Sequence, residues 1–138
     1  MSFVIDNSIA LAWCFEDEQT EAIMALLEQV TETGAMAPQL WPIEAINGLL
    51  IAERRGRISA TDRSRLIGYL QALPIMVDGE TASNAWLAIT QLAANYRLTA
   101  YDATYLELAL CAALPLATTD KSLTAAARRA GVAVLPPP

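Results

Sequence analysis

The sequence predicts an α/β three-layer sandwich, a central parallel sheet of four or five strands with helices on both faces. Three observations carry this expectation. Short β-prone runs recur between longer segments with helical spacing, the alternation that produces parallel strands joined by crossover helices. The 138 residues are 54% hydrophobic and only 17% charged, the balance of a chain that builds a core. No linker, repeat or low-complexity stretch divides residues 1–138, so a single domain is expected.

Taken in order, "FVI" (3–5) is a short apolar strand that must end at Asp6, with Asn7 and Ser8 reading as turn residues. The charge run "EDEQTE" (16–21) reads as a solvated helix start. It leads into "TEAIMALLEQVTE", where Ala22, Ile23, Leu26, Leu27 and Val30 fall on one face. "AMA" (35–37), bounded by Gly34 and Pro38, is a weak second strand. "WPIEAINGLLIAERRG" has Pro42 near its start, and Arg54 and Arg55 before Gly56 at its end, the signals that open and close a helix. "SATDRSRLIGYLQAL" continues as a helix after a tight turn. "PIMV" (74–77) is a third strand, confined by Pro74 to a strand start or a sheet edge. "SNAWLAITQLAANY", "AYDATYLELALCAAL" and "KSLTAAARRAG" are three further helices. "LATT" (116–119) and "VAVL" (132–135) complete the strands, the last stopped by Pro136 to Pro138.

Composition narrows the function. The net charge of −6 argues against a nucleic-acid binder held by charge alone, though acids gathered in a metal site account for such a balance equally well. Cys14 and Cys111 are widely separated, and no CxxC pair or histidine accompanies them. They read as free thiols in a reducing compartment. No run approaches ~20 uninterrupted apolar residues, so neither secretion nor membrane spanning is indicated and a cytoplasmic location is expected. Trp13, Trp41 and Trp86, at apolar helical positions, are expected in the core or an interface.

Four acids stand out. In an open parallel sheet, functional groups collect outside the carboxyl ends of the strands. Asp6 and Asp120 each follow a strand immediately, and Glu44 and Asp102 fall in the first turns of helices. Each has a bland role open to it: a turn, a cap, or a favourable charge at a helix start. Glu44 lies among Ile43, Ile46, Leu49 and Leu50, and Asp102 among Tyr101, Tyr105 and Leu106. A carboxylate on such a face is costly unless paired or bound to a cation. Four converging carboxylates repel, and a divalent cation relieves the repulsion. Without histidine or paired cysteine, the donor set suits Mg²⁺ or Mn²⁺, whose natural chemistry at such a site is phosphoester hydrolysis.

At this point "FVIDNS", "WPIEAINGL", "YDATYLELA" and "ATTDKSL", in that order and with "ALAWCFEDE" after the first, resemble the PIN-domain ribonucleases. The likeness is greatest to the VapC toxins of prokaryotic toxin–antitoxin pairs. It implies a sheet of order 3-2-1-4-5 and a Mg²⁺- or Mn²⁺-dependent endoribonuclease. Asp6, Glu44, Asp102 and Asp120 match the acidic quartet of that family. Asp6, Asp102 and Asp120 would bind metal, and Glu44 would complete the shell or orient the attacking water. Ser8 and Thr118 match hydroxyl positions beside the first and last acids, and Asn47 a polar position one turn after Glu44. The resemblance also implies an RNA substrate, a homodimer and a cognate VapB-like antitoxin whose C-terminal segment covers the cleft, and it places the "EDEQTE" region near that cleft.

Other readings are weaker. A haloacid-dehalogenase-type phosphatase also begins with a strand ending in Asp, but wants a second acid where Ser8 stands. P-loop and dinucleotide-binding motifs are absent. A PIN-like binding module without catalysis, its acids serving only as caps, stays open. Arg54, Arg55, Arg57, Arg63 and Arg65 gather around one helix end and the next helix start, either as a solvated face or as a grip on RNA phosphates. Arg54, Arg55 and Arg57 are the candidate RNA contacts.

Overall fold

A computed structural model describes residues 2–138. Five parallel strands form the sheet: β1 (Val4–Ile5), β2 (Ala35–Pro38), β3 (Ile75–Asp78), β4 (Leu116–Ala117) and β5 (Val134–Leu135). Their order is β3-β2-β1-β4-β5, so the fifth strand that composition left open is present and the 3-2-1-4-5 order stands. Val4 pairs with both Met36 and Leu116, which puts β1 at the centre. Phe3, Val4, Ile5, Leu116 and Ala117 are fully buried, as strands covered on both faces must be. β3 lies at the edge, where its preceding proline costs no ladder hydrogen bond.

Helices α1 (Asn7–Cys14), α2 (Glu21–Thr33), α3 (Trp41–Arg54), α4 (Ala60–Ala72), α5 (Thr81–Asn84), α6 (Thr90–Tyr96), α7 (Ala100–Ala112) and α8 (Lys121–Arg129) complete the fold. A 3₁₀ turn covers Glu16–Glu18, and a π turn over Ala85–Ile89 interrupts what the sequence suggests is one helix over 83–96.

Several expectations change here. Asn7 and Ser8 do not form a turn but open α1, which the sequence conceals because its eight residues are apolar nearly all round. In α2, Ile23, Leu26 and Val30 are buried, while Ala22, at the rim of the stripe, faces solvent. Trp13 and Trp41 are in the core, but Trp86, on the π turn, is 89% exposed.

Two glycines govern how elements meet. Gly34 ends α2 at φ 76°, a left-handed value that favours glycine, and a Cβ there would lie 3.0 Å from the Pro74 carbonyl of the neighbouring chain segment. Gly48, in mid-α3, faces α1: a Cβ would lie 2.6 Å from Leu11 Cδ1. The missing side chain lets α1 and α3 approach closely, and each of these helices brings one acid of the candidate site.

Candidate functional site

The carboxyl ends of β1 and β4 lie side by side, since Ile5 pairs with Ala117 and the Asp6 N–H donates to the Ala117 carbonyl at 2.9 Å. Asp6 and Thr118 therefore leave the sheet together. Asp6 is 5% exposed and held at both oxygens. Its Oδ1 accepts from the Asn7 N–H at 2.8 Å, and its Oδ2 accepts from the hydroxyls of Ser8 and Thr118, each at 2.8 Å. Those hydroxyls in turn accept from backbone: Ser8 from the Thr119 N–H and Thr118 from the Asp120 N–H, both at 3.0 Å. Each hydroxyl has one proton, and the incoming backbone donors leave Asp6 as its recipient. Ser8 and Thr118 thus fasten Asp6 and the loop bearing Asp120 to one another.

Asp120 begins α8. Its Oδ1 accepts from the Leu123 N–H at 2.8 Å, an N-cap, and the side chain is otherwise turned to solvent. Asp6 likewise caps α1. The capping roles open to these two residues are therefore real, and each uses only part of its carboxylate.

Glu44 sits in the first turn of α3 and Asp102 in the first turn of α7, where Thr99 supplies the cap. Both are half-buried. Tyr105, fully buried one turn beyond Asp102, donates its hydroxyl to Glu44 Oε1 at 2.5 Å and joins α7 to α3. Burial, the Glu44 bond and the surrounding acids push the Tyr105 hydroxyl far up, so it stays a donor.

Burial raises the Asp102 carboxyl to about 6, with further contributions from the charges of Asp6, Asp120 and Glu44. Burial also raises Asp6 against the pull of its hydrogen bonds, and the charge of Asp120 adds to the rise. Glu44 is raised by burial, partly offset by Tyr105, and by the charge of Asp6. Among the described residues no cation relieves any of these three. Asp102 thus feels the charges of the other three acids, Asp6 that of Asp120, and Glu44 that of Asp6, so ionising Asp6, Glu44 and Asp102 together is opposed.

The donor chemistry fits a hard divalent cation: carboxylate oxygens, with hydroxyl oxygens behind them, and no nitrogen or sulfur. Among the described residues no three acids are already drawn into a ligand set, so a cation would have to gather them. A further oxygen lies beside Asp6, since Asn7 Oδ1 is buried without a hydrogen-bond partner among the described residues.

Asn47, on the expected turn of α3, is exposed. The arginines are placed less favourably. Arg57 pairs with Asp17 at 2.6 Å and Glu18 at 3.0 Å and lies 4.0 Å over the Phe15 ring, so its charge is engaged within the chain. Arg63 pairs with Glu53 and Arg65 with Asp62. Arg54 and Arg55 are exposed at the far end of α3, roughly 15 Å along its axis from Glu44.

Two residues of the site escape the motif reading. Tyr105 carries a signal in sequence: a tyrosine on the same helical face as Asp102, whose hydroxyl needs a partner if buried. Asn7 carries none, since a buried amide oxygen there depends on α1.

The PIN domain family profile matches residues 3–129. No curated protein matches the chain. Among solved structures, PAE2754 from Pyrobaculum aerophilum is similar at 22% identity and TM-score 0.70, over 98% of this chain and 90% of that one. FitAcB from Neisseria gonorrhoeae is similar at 18% identity and TM-score 0.66, covering 97% and 96%. VapBC2 from Rickettsia felis, bound to a DNA fragment from their promoter, is similar at 13% identity and TM-score 0.67, covering 97% of each chain. At these identities the likeness is one of fold.

Proposed function

The chain belongs to the PIN domain family, and from that premise we propose that it is a Mg²⁺- or Mn²⁺-dependent endoribonuclease, the toxin of a toxin–antitoxin pair. One observation carries the proposal. Burial and the charges of Asp6, Asp120 and Glu44 raise the Asp102 carboxyl, and burial with a neighbouring acid raises Asp6 and Glu44 as well, with no cation among the described residues to compensate. Such an arrangement opposes folding by itself and is useful when a divalent ion fills it.

Asp6, Asp102 and Asp120 would hold the ion, with Glu44 completing the set or orienting the attacking water. When bound, the ion supplies Lewis-acid polarisation of the phosphoryl group and a counter-charge for the acids. The chain's own residues set the geometry. Ser8 and Thr118 fix the Asp6 carboxylate by donating to Oδ2, which leaves Oδ1 one lone pair beside its bond from the Asn7 N–H. Tyr105 occupies Glu44 Oε1, leaving Oε2 for a water proton.

The toxin assignment draws support from the FitAcB and VapBC2 folds and implies a VapB-like antitoxin partner and a homodimer. The large exposed side chains Trp86 and Leu87 suit a surface that another chain covers. Among the described residues no helix is long and apolar enough to cross a membrane.

The capping bonds of Asp6 and Asp120 favour a second reading, a binding module in which the acids are structural. Thermal melts with and without Mn²⁺ separate the two. The nuclease reading expects Mn²⁺ to raise the melting temperature of the parent and to leave that of Asp102→Asn nearly unmoved. Melts indifferent to Mn²⁺ in both proteins would favour the module.

A further inference from the structure

We propose that the groove along α8 and β5 is the track by which the phosphodiester backbone of single-stranded RNA leaves the acidic centre, gripped by Lys121 and Arg128. This inference rests on the nuclease reading and names a surface that the candidate arginines of the sequence do not include.

The chain has nine cations, eight arginines and the single lysine Lys121. Arg57, Arg63 and Arg65 are neutralised by carboxylates, and Arg129 lies over the Tyr96 ring. Among the described residues this leaves Arg54, Arg55, Arg97, Lys121 and Arg128 without an acidic partner. Of these, Lys121 and Arg128 line a common groove, a cleft of about 390 Å³.

Position then ties the groove to the acids. Thr118, which donates to Asp6, also lines the groove, and Lys121 follows Asp120 directly. The groove wall is one stripe of α8: Lys121, Thr124, Ala125 and Arg128 recur at helical spacing, opposite the buried face of Leu123, Ala126 and Ala127. The two cations are two turns apart, roughly 10 Å along the axis, with only the small Thr124 and Ala125 between them. Val134 and Pro136 form the facing side. A channel with cations two turns apart, small side chains between them, and Thr118 and Thr119 of the loop that leads into Asp120 in its wall is the shape that a negatively charged strand follows.

The test is fluorescence anisotropy of a labelled single-stranded RNA with the full chain carrying Asp102→Asn, which keeps the RNA intact. Cleavage by the otherwise unaltered chain is scored in parallel and reports on the nuclease reading separately. Adding Lys121→Gln and Arg128→Gln is expected to weaken binding on the order of ten-fold near 0.1 M salt and to lower the slope of log affinity against log salt by about 1.4, two contacts at ~0.7 each. Adding Arg54→Gln and Arg55→Gln instead should leave both quantities close to the Asp102→Asn background. Unchanged affinity and slope in the Lys121/Arg128 variant, or no RNA binding by the Asp102→Asn chain, would overturn the groove assignment. If the unaltered chain still cleaves RNA in either case, the nuclease reading survives that loss.

Discussion

Asp102 concentrates the chemistry of the site in one titration. Its carboxyl rises from 3.8 to about 6, mainly through burial and then through the charges of Asp6, Asp120 and Glu44. Between those values the folded chain keeps a proton that the unfolded chain has released, so this group's contribution to stability falls as pH rises through that window. Asp6 and Glu44, also raised, act in the same direction. Metal-free protein should therefore have a higher urea midpoint at pH 5 than at pH 7, and Asp102→Asn should flatten that difference. A midpoint that climbs with pH would contradict the repulsive account. Tyr105→Phe isolates the other residue-scale device. Losing the donor to Glu44 should cost about 1 kcal/mol in urea unfolding, since the half-exposed carboxylate regains water, and should lower kcat more than it changes KM. Equal effects on neither would remove Tyr105 from the positioning of Glu44.

At the scale of elements, the site depends on how closely α1 and α3 pack, because Asp6 caps one and Glu44 rides on the other. Gly48 permits that approach. Gly48→Val should destabilise the fold by about 1–3 kcal/mol through the clash with Leu11, measured by urea unfolding, and should reduce the response of the melting temperature to Mn²⁺. Gly48→Ala sets a smaller clash with a flexible side chain against the better helix propensity of alanine, and serves as the milder control. The elements also show what the sequence disclosed. Pro74 signalled a strand start or a sheet edge, and Arg54, Arg55 and Gly56 the end of α3, because local chemistry decides those features. α1 was hidden because a short helix that is apolar nearly all round has no periodicity, and its start depends on the Asp6 cap. The break over Ala85–Ile89 was equally hidden, since no glycine or proline marks it. Likewise, the places of the four acids, after strands and at helix starts, were legible. The engagement of Arg57 by Asp17, Glu18 and Phe15 was not, because it is made between segments distant in sequence.

The whole molecule balances a net charge of −6 against a proposed polyanionic substrate. Two proposed features make that combination workable: an acidic site that a divalent ion would neutralise, and the cations Lys121 and Arg128 lining the groove along α8. The central claim is that these acids form a metal-dependent ribonuclease site. It is tested most directly by incubating a defined RNA pool with the full chain in Mn²⁺, in excess chelator, and with Asp6→Ala in Mn²⁺. Internal cleavage by the parent in Mn²⁺ is expected, with chelator or Asp6→Ala lowering the rate on the order of 100-fold or more, as for losing a catalytic metal contact. Cleavage that persists in chelator, or that Asp6→Ala leaves at the parental rate, would contradict it.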